Sequence, residues 1–136
     1  MHKLLLLSFL LLFSACEEKA KPVVIKKSTL EIPVSCMKLN RVGADKELLA
    51  SIENLYAFKD GCSFALSLSS KKDIVCNSSY NAMSKNMGKF PKSFVKLELR
   101  HGMELVYSYY VDLYSNVDED DVVEGFTRLK KDLLLK

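Results

Sequence analysis

Four cysteines and a histidine are the side chains of this 136-residue chain whose chemistry is specific enough to name reaction classes. Cys16, Cys36, Cys62 and Cys76 contain no Cys-x-x-Cys spacing, and none of these thiols precedes a helix start that would lower its pKa, so dithiol redox catalysis is not indicated. His101 stands beside Gly102, and apart from His2 at the extreme start it is the only imidazole. No Cys-His or Ser-His-Asp arrangement can be built without it, and one histidine in a Gly-containing turn reads as a surface residue. Zinc would need three or four convergent ligands, and the His and Cys residues are too scattered to supply them. Asn116, Asp118 and Asp120 have the alternating oxygen-ligand spacing that opens a calcium loop, but the sixth position is Asp121 rather than Gly and the twelfth is Thr127 rather than Glu. A helix N-terminus explains the same acidic run without a metal. With no Gly-rich phosphate loop either, the reading is a protein that is not an enzyme and needs no cofactor.

The composition agrees with a single globular unit. Hydrophobic residues make up 49% of the chain and charged residues 27%, and neither a fixed repeat nor a low-complexity tract interrupts the body. Twenty basic against seventeen acidic side chains leave a net charge of +3, too weak to indicate nucleic acid as a partner.

The first sixteen residues carry the strongest signal. Met1-His2-Lys3 is a basic start, Leu4 to Phe13 is an apolar stretch, and Ser14-Ala15-Cys16 places small residues before a cysteine. This is the architecture of a secretory signal, too short for a permanent span, which needs about 20 apolar residues. Phe13-Ser14-Ala15-Cys16 resembles the lipobox of bacterial lipoproteins. The resemblance covers residues 1–16 only. It implies cleavage before Cys16, lipidation of the Cys16 sulfur, and a domain exported to the cell envelope and held to a membrane by that anchor, inner or outer left open. Two or three acyl chains hold such a protein durably, since each buried methylene contributes about 0.8 kcal/mol.

With Cys16 lipidated, three thiols remain. Cys62 and Cys76 stand at the open ends of an expected hairpin, and their bridge is the first expectation. A pairing that involves Cys36 and a fully reduced set are the alternatives.

The elements that must position these groups follow from periodicity. Residues 16–28 read as the lipidated cysteine and a charged, Pro-containing tether, with Val23 to Ile25 as a candidate edge strand and Lys19, Lys21, Lys26 and Lys27 as candidate contacts to anionic headgroups. Leu30, Ile32, Val34 and Cys36 alternate like a strand. Asp45 caps a helix carrying Leu48, Leu49, Ile52, Leu55 and Tyr56. Cys62 to Leu68 and Ile74 to Cys76 make the hairpin, and a short helix follows over Tyr80, Met83 and Met87. Val95 to Arg100 turns through His101-Gly102 and returns as Met103 to Leu113. The last helix has Asp118 to Asp121 in its first turn, Lys130 and Lys131 near its end, and an apolar stripe of Val122, Phe126, Leu129 and Leu133.

The expected fold is α+β, an antiparallel or mixed sheet of about five strands with two main helices on one face and one short helix. The expected organisation is a signal peptide over 1–15, the lipidated tether over 16–28 and one domain over 29–136. The expected function is that of a membrane-anchored envelope lipoprotein whose non-enzymatic periplasmic or surface domain binds a protein partner or supports envelope assembly. Its candidate contacts are the strand from Tyr107 to Tyr114 and the acidic patch from Asp118 to Glu124. The alternative is a small apolar ligand or lipid held between sheet and helices, lined by Met83, Met87 and the tyrosines.

Overall fold

A computed structural model describes residues 19–75 and 90–134. In chain order these form β1 (Val23–Lys26), β2 (Lys38–Asn40), α1 (Lys46–Glu53), β3 (Phe64–Lys71), β4 (Ser93–His101), β5 (Glu104–Leu113) and α2 (Glu119–Leu133). The strands make one mixed sheet in the order β1-β5-β4-β3-β2. Every neighbouring pair is antiparallel except β2 and β3, which run parallel with α1 as their connection. This is the α+β architecture expected from the periodicities. The short helix expected over Tyr80 to Met87 lies outside the described residues.

The sheet is organised by the β4–β5 hairpin. Val95, Leu97 and Leu99 alternate with Lys96, Glu98 and Arg100, so one face of β4 is apolar and the other charged. The register sets Val95 opposite Val111, Leu97 opposite Tyr109 and Leu99 opposite Tyr107. All six are buried, and Leu66, Leu68 and Leu39 extend the same layer across β3 and β2. The stripe of α2, formed by Val122, Phe126, Leu129 and Leu133, is fully buried. This helix contacts β4, β5 and α1. The Asp118 side chain accepts from the Asp121 backbone N–H, and the Asp121 side chain accepts in return from the Asp118 N–H, a capping box at the helix start. Asp45 caps α1 through Glu47 and Leu48, and the hydrogen bond from the Leu48 N–H is the main reason its carboxyl titrates below the usual range.

Two strand expectations are corrected. The alternating segment Leu30 to Cys36 is not a strand: Pro33 has no N–H to give a ladder, and the Val34 N–H is taken up by the carbonyl of Leu133 at 2.8 Å, which pins this loop to the end of α2. The strand lies further along, at Lys38–Asn40, where Met37 and Leu39 are buried. β3 pairs with β4 and β2 rather than with Ile74 to Cys76; Ile74 bonds instead to the Lys92 carbonyl, and Cys76 is outside the described residues.

The segment expected as a tether joins the sheet, and the edge strand expected within it at Val23 to Ile25 is present as β1. Lys19 bridges to Leu113, and Val23 to Lys26 pair with Tyr110 to Tyr107. The β-branched run Val23-Val24-Ile25 finds a strand margin to pair with, and Val24 packs on the core. The ordered body therefore includes residues 19–28.

The disulfide is Cys36–Cys62, with a Cα–Cα separation of 5.9 Å. Cys62 is thus engaged with Cys36 and not with Cys76. The reason is topological. Cys36 precedes β2 instead of ending it, Cys62 precedes β3, and the two strands are parallel with Lys38 opposite Ala65, so both cysteines stand at the same end of the sheet.

Candidate functional site

Among the described residues, those singled out for chemistry do not converge. Cys16, Cys76, Met83 and Met87 lie outside the described residues. Cys62 is closed in the disulfide and buried. His101 projects at the tip of the hairpin, its ring stacked on Phe64 with centroids 4.7 Å apart. The acidic run caps α2. Among the described residues no three His, Cys, Asp or Glu side chains gather as metal ligands, and no helix is long and apolar enough to cross a membrane.

The tyrosines of β5 divide between the faces. Tyr107 and Tyr109 point into the core and Tyr110 to the opposite face, where it stacks on Phe94 at 5.6 Å. The Tyr107 hydroxyl donates to Asp132 at 2.9 Å, and burial, reinforced by that carboxylate, raises its pKa above the ordinary phenol value. Tyr110 donates to Asp112 at 2.6 Å and is pushed up to about 12, first by burial and then by this bond.

Two concave places remain. The first, of about 290 Å³, lies beside the hairpin tip, with Lys27, Glu31, Pro33, Phe64, His101 and Glu104 in its wall. Two of its charges are engaged with each other, since Lys27 pairs with Glu104. The second, of about 350 Å³, runs between the leading segment and α2 and is lined by Pro22, Tyr109, Glu124, Thr127, Arg128 and Lys131.

The second is built from the sequence in a definite way. Glu124, Thr127, Arg128 and Lys131 are spaced i, i+3, i+4, i+7, a polar stripe beside the buried one. Tyr109 forms the floor because Gly125 lets its ring lie against the helix. Lys19 binds Glu124 and so ties the leading segment alongside α2; that hydrogen bond is also the main reason the Lys19 pKa is raised. Arg128 engages Asp132 through Nε at 2.9 Å, leaving the rest of its N–H donors for other partners. Lys21, Lys26 and Lys131 make no ion pair among the described residues.

Beside this groove β1 is the margin of the sheet among the described residues. The Lys27 N–H donates to the Val106 carbonyl at 2.9 Å. Antiparallel pairs alternate between bonded and non-bonded, so Val23 and Ile25 share the phase of Lys27 and bond to β5. The N–H and C=O groups of Val24 and Lys26 then point outward, away from the sheet. Val23 is 56% and Ile25 61% exposed on the face opposite α2.

The groove is not legible in the sequence because the charged, Pro-containing residues 16–28 read as a tether, and nothing local shows that the candidate edge strand within them pairs with β5 beside α2. The polar stripe of α2 was the available signal. Compared with protein-family models, with curated proteins and with solved structures, the chain matches none.

Proposed function

We propose that this chain is a cell-envelope lipoprotein, lipid-anchored to a membrane at Cys16, whose domain is a non-enzymatic binding module for a protein partner. The observation that carries the binding role is the margin of β1, unpaired among the described residues, beside the groove of α2. There, backbone donors and acceptors, an apolar pair and several cations lie side by side, an arrangement suited to polypeptide recognition and without a nucleophile-base pair. The anchoring role rests on the lipobox resemblance of residues 13–16. The two readings fit sterically: Lys19 is only three residues after Cys16, so about 10 Å of chain separates the anchor from the sheet and the domain sits close to the membrane.

The test is photo-crosslinking in native cells from single positions across the surface, with membrane fractionation of wild type and Cys16→Ala. The expected result is a protein crosslinked to the wild type and release of Cys16→Ala from the membrane fraction. Unchanged fractionation of Cys16→Ala would overturn the anchor, and the absence of protein crosslinks from any position would overturn the binding role.

A further inference from the structure

We infer that the partner enters as an extended segment that adds a strand to the open edge of β1, with acidic side chains facing α2 and apolar side chains facing the other way. This deepens the proposed binding role and rests on it.

Three features define the occupant. The outward N–H and C=O groups of Val24 and Lys26 repeat at the spacing of a β-ladder, and only an extended backbone satisfies both residues at once. A strand bonded there has alternating side chains. On the α2 side these meet Lys26, Arg128 and Lys131, with Glu124 already engaged by Lys19 and Asp132 by Arg128 and Tyr107. On the opposite side they meet Val23 and Ile25, which are exposed neighbours on one face of β1. Cations on one side and aliphatic groups on the other select a segment that alternates acidic with apolar residues.

The same charges argue against a second copy of this chain as the occupant. An antiparallel β1–β1 pairing would bring Lys21, Pro22, Lys26 and Lys27 of one copy against the same set of another. Lysine and proline at a margin are known to suppress edge-to-edge association. An acidic segment converts that repulsion into attraction.

The experiment uses the detergent-solubilised full-length mature protein and two synthetic ten-residue peptides, one alternating Glu with Val and one alternating Lys with Val. Hydrogen exchange and fluorescence anisotropy are the readouts. The Glu peptide is expected to bind and to slow exchange of the Val24 and Lys26 amides, while the Lys peptide does not. Lys26→Pro removes an outward N–H that the sheet does not use; it is expected to retain the folded circular dichroism spectrum and lose peptide binding. The double variant Arg128→Ala, Lys131→Ala is expected to weaken the Glu peptide about fivefold. Equal binding of both peptides, full binding to Lys26→Pro, or a dimer of the chain that Lys26→Pro dissolves would each overturn the inference. A partner crosslinked in cells only from the His101 cleft or from the Phe94 and Tyr110 face would do so as well, while leaving the wider binding role standing.

Discussion

A Cβ added at Gly125 would lie 2.7 Å from Cε1 of Tyr109, closer than side-chain carbons pack. Tyr109 is only 2% exposed, and a Leu97 methyl stands 3.3 Å from the same point. The glycine in the middle of α2 is therefore a packing device: it sets the helix close to β5 and leaves the tyrosine as the floor of the groove.

Gly125→Ala should accordingly destabilise the protein. The helix-propensity gain of about 1 kcal/mol is outweighed by overpacking, which costs about 1 to 3 kcal/mol where a ring cannot retreat. Denaturant unfolding should show the loss, and it should shrink in a Tyr109→Leu background, where the opposing ring is gone. A Gly125→Ala protein more stable than the wild type would show that the helix simply moves away.

The Cys36–Cys62 bridge closes a loop with a sequence separation of 26. A loop of that length restricts the unfolded chain by about 3 to 4 kcal/mol, a large share of the stability of a domain this small. Peptide mapping under non-reducing conditions should recover the Cys36 and Cys62 peptides joined. Cys36→Ser together with Cys62→Ser should lower the unfolding free energy by an amount of that order. Recovery of a Cys62–Cys76 peptide would contradict the strand order of β2 and β3.

Alkaline pH should act through Tyr110. Its folded pKa, about 12, is above that of a free phenol, about 10. The neutral hydroxyl is therefore favoured in the folded state, and the sign follows: the contribution is complete below pH of about 10 and is lost as pH rises through about 12. Tyr107, raised by burial and by Asp132, pulls in the same direction. Stability measured by unfolding should fall across that interval, and less steeply in Tyr110→Phe. The difference in phenolate absorbance between wild type and this variant should develop near pH 12. A difference that titrates near pH 10 would show that neither burial nor the Asp112 bond holds the hydroxyl neutral.

Much of the fold was legible because local patterns and tertiary demands coincide. The β4–β5 hairpin followed from strict alternation around His101-Gly102, and α2 from its acidic start, basic end and apolar stripe; the capping box at Asp118 is the same information in three dimensions. The candidate groove was only half legible. The polar stripe of Glu124, Thr127, Arg128 and Lys131 could be read from its spacing and Val23 to Ile25 as a candidate edge strand, whereas nothing local showed that this strand pairs with β5 and sets Pro22 opposite α2.

What the amino-acid sequence determined by itself was local: which stretches alternate and which helices begin at Asp45 and Asp118. Those signals act over a few residues and survive without neighbours. Only the tertiary structure decided which cysteine meets Cys62, because that depends on β2 and β3 running parallel. Val23 to Ile25 was a candidate edge strand from its residues, but only the tertiary structure decided where it pairs, because a short β-branched run has too few contacts to hold an extended form until the margin of β5 offers its hydrogen bonds. The groove beside α2 exists for that same reason: one of its walls becomes ordered only through pairing with a strand more than eighty residues away.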